Sequence, residues 1–411
     1  LMDTLIVGRF LGVDDLAAVG STGSVNFLII GFCMGVCNGF AIPLAHKFGA
    51  GDYKGMRGFM MNAIYLSAIF AVVMTIVTVI FCMPILELMR TPENIIDGAY
   101  RYIVIIFWGI PVTYLYNLVS GIIRSMGDSR TPVVFLVIAA VINIGLDLFF
   151  IVVLGTGVEG AAWATVISQL ISCILVLWCL YKSEGSYQLR FSKLQIKGVY
   201  LKQIFQVGIP AGIQSMIINF SNVLLQSSVN SFGSTAMAGY TAANNILGFL
   251  YAAVNSITQA CMSFTSQNYG VGKYKRMDKV LIDCLILTVV VAGVLGCGSY
   301  LLGPEILRIY TEEEKVIRCG MEILSITTVP YFLCGIMDLF PGALRGMGYS
   351  AVPMILSIIG TVGMRVVWIF GIFPHHRSLY VLFISYPGSW LFTIIMQVIC
   401  FYFVRKKIHQ M

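Results

Sequence analysis

Two aspartates and an asparagine stand inside apolar stretches of this sequence, where polar side chains are costly. Asp3 lies near the start of the chain, and Asn143 and Asp147 are four residues apart in a later stretch. Residues at i and i+4 share one face of a helix. An ionised carboxylate at bilayer depth costs about 2.5–3.5 kcal/mol, so it faces a cavity, finds a partner or stays protonated. If Asp3 and Asp147 share a pocket, mutual repulsion favours a proton on one of them, and the site can exchange that proton.

Asp338 and Arg365 are further charges near the middle of apolar stretches. We expect them to lie on adjacent helices and to form a buried ion pair that neutralises both. The alternative is that Asp338 faces a cavity and attracts cationic substrates. Asn117, which matches Asp338 in the internal repeat described below, and Gln214 are additional candidates for lining that cavity.

The composition predicts an integral membrane protein. Of the 411 residues, 58% are hydrophobic and only 11% are charged, whereas soluble domains carry about 25% charged residues. Eleven cysteines are scattered singly without the spacing of a zinc site or a disulfide framework, so we expect no metal cofactor. The net charge of +7 does not predict nucleic-acid binding, because its location matters more than its sum.

Apolar stretches long enough to cross a bilayer recur along the whole chain. A membrane helix needs about 20 mostly apolar residues, and the sequence contains eleven such complete spans and the end of a first one. We therefore expect an all-α protein with twelve transmembrane helices, of which the first lacks its N-terminal part. The uncharged stretches are 16–45, 59–86, 102–123, 160–181, 203–272 (two spans), 284–304 and 378–404, and those with one charge are 131–155, 316–344 and 350–373.

Lysine and arginine are unevenly divided between the two sets of loops. One set, with the C-terminal tail, carries 18 of them and the opposite set carries 7. Because the basic side of a membrane protein faces the cytoplasm, we expect both termini to be cytoplasmic. The basic segment before residue 203 then serves as a cytoplasmic linker.

The two halves of the chain repeat each other at a constant shift in sequence. The segment 121–132 matches 342–353 at six of twelve positions, with Gly-x-x-Arg-x-x-Gly in both, and 48–54 matches 269–275 at the same shift. The repeat predicts an N-terminal lobe at 1–185, a linker at 186–202 and a C-terminal lobe at 203–411. Two bundles of six helices leave a cavity between them, which is the plan of a transporter that works by alternating access.

These features resemble the multidrug and toxic compound extrusion family, and the segments that carry the resemblance span the chain. They are Asp3-Thr-Leu-Ile-Val-Gly8, Leu16-Ala-Ala-Val-Gly20, the paired Gly-x-x-Arg-x-x-Gly loops and Asn143-Ile-Gly-Leu-Asp147. The pattern is most similar to prokaryotic members of the DNA-damage-inducible branch. The family's architecture is twelve helices in two six-helix lobes.

The resemblance implies where a coupling ion binds. By position, Asp3 matches the family's first-helix acid, Asn143 and Asp147 match its fifth-helix pair, and Thr165 matches a hydroxyl proposed to complete a sodium site. These oxygens serve either Na⁺ or H⁺, and the sequence leaves both open. The C-half positions that match these four residues are Leu224, Met364, Trp368 and Tyr386. Some members carry a seventh-helix glutamate, which is absent here, so a sodium site of that kind in the C-terminal lobe is not expected.

The resemblance implies a monomeric exporter of organic cations and amphipathic compounds in the cell membrane. Met and aromatic side chains, of which there are 20 Met, 26 Phe and 20 Tyr, suit promiscuous binding of planar cations. One alternative is a lipid-linked oligosaccharide flippase, which needs several basic residues at mid-membrane, where this chain has only Arg365. A membrane-embedded enzyme is disfavoured because the sequence has no nucleotide motif, metal spacing or nucleophile elbow.

Overall fold

The computed structural model describes residues 6–7, 9–11, 13–88, 91, 93–182, 196–310 and 312–409. Within these ranges all regular elements are helical, because a chain that crosses a bilayer must satisfy its backbone polar groups internally. The chain forms two compact units, Leu1–Gly212 and Ile213–Met411. The domain boundaries given above, at 185 and 203, stay a prediction.

The first unit contains eight helices among its described residues and the start of a ninth. They are α1 (Val13–Ser21), α2 (Gly23–Gly49), α3 (Tyr53–Ile80), α4 (Cys82–Leu88), α5 (Glu93–Trp108), α6 (Ile110–Ser125), α7 (Arg130–Leu148, continued by a π-helical turn at Phe149–Val153), α8 (Val158–Lys182) and the beginning of α9 (Gly198–Asn230).

The second unit contains the rest of α9 and the helices that follow it. They are α10 (Ser234–Gly270), α11 (Tyr274–Leu301), α12 (Gly303–Arg308), α13 (Glu314–Thr327), α14 (Tyr331–Gly346), α15 (Ala351–Ser357), α16 (Met364–Val367), α17 (Leu379–Phe383) and α18 (Ser385–His409). Two π-helical segments, Ile358–Gly363 and Trp368–Ile372, flank α16, so that α15, α16 and both π segments form one continuous span.

The described residues contain up to eleven candidate membrane spans by length and composition. Nine helices are long and apolar enough to cross a membrane, and two bent pairs raise the number to eleven, α5 with α6 (44°) and α13 with α14 (50°). The bends coincide with Pro111 near the start of α6 and Pro330 just before α14, because proline removes a backbone donor and interrupts a helix. The predicted all-α membrane fold is confirmed, and the eleven complete spans expected from the sequence equal the number obtained when each bent pair is counted as one span.

The repeat is preserved in the boundaries of the helices. The starts of α3 and α11 (Tyr53, Tyr274) and those of α6 and α14 (Ile110, Tyr331) are separated by the same shift as the two matching sequence segments. Gly127 and Gly348 end the two Gly-x-x-Arg-x-x-Gly loops with φ of 97° and 88°. Only glycine adopts such angles without strain, which explains why both loops keep this residue.

Small residues lie where helices pack closely on one another, and stripes of large apolar residues lie on the exposed faces of the helices. In the first unit a Cβ on Gly39 of α2 would lie 2.5 Å from the Gly208 Cα of α9, the close approach typical of helices packed inside membranes. On α11 the large side chains Ile282, Ile286 and Val290 are exposed at intervals of four residues. Such a stripe is the surface that lipid covers.

Candidate functional site

The predicted polar constellation of the first unit lies on α7 and α8. Asp147 is fully buried (0% exposed), next to the π-helical turn at Phe149–Val153. Asn143, one helical turn earlier, donates its Nδ2 hydrogen to Thr165 Oγ1 at 3.5 Å, and Thr165 donates in turn to the Ala161 carbonyl at 3.0 Å. The structure therefore brings two of the predicted residues into contact, and it places Asp147 on the same helix as one of them.

The chemistry of this set is that of hard oxygen ligands. Since Nδ2 of Asn143 faces the threonine hydroxyl, its Oδ1 remains as an acceptor. That oxygen, the Thr165 hydroxyl oxygen and the Asp147 carboxylate are ligands of the kind that hard cations take. The same carboxylate can instead carry a proton. Asp3, the predicted fourth member, lies outside the described residues.

In the second unit the predicted ion pair between Asp338 and Arg365 does not form. The Arg365 guanidinium is 3% exposed and donates from Nη1 to Asn222 Oδ1 at 2.9 Å, and its Cζ lies 4.2 Å from the centre of the Tyr386 ring. Further contacts run from Nη1 to Ser221 Oγ and from Nε to Ser389 Oγ, both 3.4 Å. Helices α9 and α18 thus supply neutral acceptors, and they satisfy the guanidinium in place of the carboxylate.

Asp338 is half-buried on α14, about two turns of helix before Arg345 at the end of the same helix. No ion pair within 4.0 Å joins these two side chains among the described residues. The arginine of the second Gly-x-x-Arg-x-x-Gly loop thus faces into its own unit.

Gln214 is buried at the centre of a polar chain in the second unit. Its Oε1 accepts from Arg345 Nη2 at 3.2 Å, and its Nε2 donates to Ser357 Oγ at 2.9 Å. Ser357 also accepts from Gln397 Nε2 at 3.0 Å. Both ends of the Gln214 amide are engaged, an arrangement that holds α9, α14, α15 and α18 together, and its place in a substrate cavity stays a prediction.

The first unit has a matching contact at the end of α6. Arg124, which is equivalent to Arg345, donates to Asn38 Oδ1 at 3.4 Å. Asn117, the other candidate for the substrate cavity, is partly buried and donates to the Thr113 carbonyl of its own helix at 2.8 Å. The arginines of both loops therefore bind side-chain amides inside their units. The repeat was the signal that could have suggested this shared role.

A cavity of about 490 Å³ opens in the second unit between the end of α9 and the π-helical segment at Trp368–Ile372. Leu224 and Ile369 contribute to its walls, and Arg377 lines it from the segment that follows. Leu224 is the position that matches Asp3 in the repeat. The sequence analysis did not single out this cavity, because its lining comes from two segments far apart in the chain and consists mostly of ordinary membrane-helix side chains.

Two all-helical units with repeated boundaries, membrane-spanning helices and buried polar clusters define a multi-pass membrane transporter. The MatE family model matches residues 1–149 and 210–370, and the chain belongs to this family of transporters, as the resemblance predicted. It is therefore a transporter and not an enzyme.

Individual relatives cover nearly the whole chain. The chain is 29% identical to the probable multidrug resistance protein YoeA of Bacillus subtilis, across 99% of this chain and 90% of that protein. It is 22% identical to a FAD transporter of Shewanella oneidensis, across 87% and 80% of the two chains. The crystal structure of MATE in complex with MaL6 has the same fold, with a TM-score of 0.92 at 22% identity across 100% of this chain and 92% of that one.

Proposed function

We propose that this transporter exports small organic cations and amphipathic compounds in exchange for Na⁺ or H⁺. The observation that carries the proposal is the full burial of Asp147 in an apolar span, one turn from the contact between Asn143 and Thr165. A carboxylate at that depth is rare in membrane helices and is found where ions or protons move. The names of relatives, which include multidrug resistance and multidrug export proteins, support the substrate class.

The difference between the two units supports a coupling role over a structural one. The positions of the second unit that match Asn143, Asp147 and Thr165 hold Met364, Trp368 and Tyr386, while the helix boundaries are retained. Polar groups needed only to hold the helices together would be expected in both units. We infer that the carboxylate set belongs to the ion-coupling step, with Asp3 as its fourth member.

The π-helical turn after Asp147 supplies an element that can change shape. Such turns are frequent at functional sites, and irregular backbone in transporter helices is found where it lines a binding site. In our proposal, loading or release of the ion at Asp147 shifts α7 and drives alternating access of the two lobes. The protein works as a monomer in the cell membrane with both termini in the cytoplasm.

The test is export of a fluorescent organic cation from proteoliposomes that contain either the parent protein or the Asp147→Asn variant. Sodium and pH gradients are imposed separately. We expect one of the two gradients to drive export by the parent, and we expect Asp147→Asn to lower the rate at least tenfold, because the amide cannot exchange a proton and binds a cation without charge neutralisation.

Asp97→Asn is the matched control, because it removes an exposed carboxylate from α5 of the same unit. Its export rate should equal that of the parent. Export by Asp147→Asn at the parent rate would make Asp147 structural and refute the site. Export by neither protein would favour lipid-linked substrates and the flippase alternative.

A further inference from the structure

The Arg365 guanidinium carries a buried positive charge for which the described residues provide no acid. Its acceptors are the oxygens of Ser221, Asn222 and Ser389, and the face of Tyr386 covers it. Nη1 and Nε are engaged, whereas Nη2 has no acceptor among the described residues. A buried charge without an opposite charge is costly. The surroundings of Arg365 therefore favour the approach of an anion, which would offset that cost.

The cavity of about 490 Å³ lies along α9 and along the π-helical segment that continues α16. Leu224 in its lining is three residues beyond Ser221 on α9, and Ile369 is four residues beyond Arg365. About one turn of helix therefore separates these lining residues from the hydrogen-bonded pair of Arg365 and Ser221. The guanidinium donates to Ser221 of α9, so its positive charge lies about one turn of helix from the cavity lining on both sides.

The lining of the cavity combines apolar surface with donors and contains no acidic side chain. Phe370 and Phe373 provide aromatic faces, and Arg377 contributes a second cation that forms no ion pair with any described residue. Ser228 already donates to the carbonyl of Leu224. Among the described residues Ser227 has no such partner, so its hydroxyl and the Arg377 guanidinium are the donors left at the mouth.

We propose that this cavity binds the acidic group of a small amphipathic aromatic anion, with the ring body between the apolar walls. Its volume falls in the range of about 300–1,000 Å³ that is typical of sites for small molecules. If the cavity binds such anions, the exported substrates include organic acids and zwitterions besides cations. This consequence rests on the proposed export function. Binding itself does not depend on the coupling site of the first unit.

The test uses the full chain purified in detergent and two probes with one ring system, radiolabelled 2-naphthoate and its neutral amide, 2-naphthamide. Equilibrium binding is measured by scintillation proximity. We expect the parent to bind 2-naphthoate, and we expect Arg377→Gln to weaken that binding about tenfold or more, because hydrogen bonds that involve a charged group are the strong ones. Arg377→Lys should recover most of the affinity, and 2-naphthamide should bind weakly to all of these proteins.

Arg318→Gln is the matched control, since it removes an exposed arginine of the same unit that is absent from the cavity lining. It should bind 2-naphthoate as the parent does. Equal affinity of the parent and Arg377→Gln for 2-naphthoate, or equal affinity of the parent for the acid and the amide, would overturn the proposal. Arg365→Gln removes the buried charge next to the cavity and should also weaken the binding of 2-naphthoate, and binding equal to that of the parent would count against its part in the site. If this variant does not fold, Arg365→Lys is measured and should bind 2-naphthoate within about threefold of the parent, because a positive charge remains.

A second arm separates a substrate from a membrane lipid of the same charge. Proteoliposomes with and without phosphatidylglycerol are assayed for uptake of 2-naphthoate. Uptake by the parent that falls in Arg377→Gln supports the substrate assignment. Displacement of 2-naphthoate by phosphatidylglycerol without any uptake would make the cavity a lipid site and overturn that assignment. Loss of cation export in Asp147→Asn with 2-naphthoate binding unchanged would show that the two proposals stand separately.

Discussion

At the scale of single residues, the described structure separates charges that spacing alone would pair. Asp338 and Arg365 stand on adjacent spans, and a salt bridge is the economical expectation for two opposite charges in a membrane. The guanidinium instead binds Asn222 and stacks on Tyr386. Planar arginine suits both contacts, because its nitrogens form a rigid fork and its face packs on aromatic rings.

Asn222 should therefore be important for stability. Replacement by Leu removes the 2.9 Å acceptor of Arg365 Nη1, and a hydrogen bond to a charged group contributes about 1.5–3 kcal/mol. We expect Asn222→Leu to lower the free energy of unfolding by about that amount, measured by thermal unfolding in detergent.

Asn268→Leu is the comparison, because Asn268 is partly exposed and its amide donates only to the Phe264 carbonyl of its own helix. Its effect should stay within about 0.5 kcal/mol. Equal midpoints for the parent and Asn222→Leu would mean that Arg365 does not depend on this acceptor.

At the scale of elements, the turn before α3 depends on a charged cap. Asp52 accepts from the Gly55 backbone N–H at 2.9 Å and pairs with Lys47 Nζ at 2.9 Å. The hydrogen bond from Lys47, followed by that from Gly55, holds the pKa of Asp52 below its usual value. The cap is thus stabilising above the ordinary pKa of an aspartate, about 3.9, and loses its effect as pH falls through the lower pKa of the folded state.

Asp52→Asn should accordingly destabilise the protein more at pH 7 than at pH 3, because part of the stabilisation by the carboxylate is lost as pH falls below the ordinary pKa of an aspartate. The asparagine keeps an acceptor for the helix start but loses the charge, so the difference between variant and parent isolates the ion pair. Unfolding midpoints at the two pH values measure it. Lys273, which matches Asp52 in the repeat, gives the control Lys273→Gln, which removes a charge from the equivalent turn and should show no such dependence on acid. A constant difference for Asp52→Asn between pH 7 and pH 3 would contradict the role of the carboxylate.

Close packing of α2 on α9 gives a second prediction at this scale. A methyl group at Gly39 would lie 2.5 Å from the Gly208 Cα, and backbone cannot move aside as a flexible side chain does. We expect Gly39→Ala to lower the unfolding free energy by about 1–3 kcal/mol, as overpacking does. Gly248→Ala, where a Cβ meets nothing within 4 Å, should be neutral or stabilising. In thermal unfolding, Gly39→Ala should have a lower midpoint temperature than Gly248→Ala. The opposite order would refute the close packing of α2 on α9.

At the scale of the whole molecule, the sequence predicted what depends on local pattern. Span number follows from the lengths of apolar runs, and the internal repeat reappears in the helix starts, as at Tyr53 and Tyr274. Contacts between residues that are distant in sequence were harder to predict. The bond between Arg345 and Gln214 joins residues that are 131 positions apart, and nothing in the periodicity of either helix indicates which polar group an arginine will reach.

Asymmetry between the units also predicts the stoichiometry of transport. In our proposal only the first unit has a carboxylate set, because Met364 and Trp368 stand where Asn143 and Asp147 do. One Na⁺ or one H⁺ should therefore move per exported cation. The measurement is the reversal potential of export in proteoliposomes as the ion gradient is varied.

Asp338→Asn tests whether the second unit contributes an ion of its own. If Asp338 takes part only in substrate binding, Asp338→Asn weakens the binding of organic cations. The ratio of one ion per substrate is then retained, because the carboxylate of Asp147 that exchanges the ion is intact. A ratio of two in the parent that falls to one in Asp338→Asn would assign a second coupling site to α14. Both units would then bind a coupling ion, and they would differ only in the position of the carboxylate that binds it.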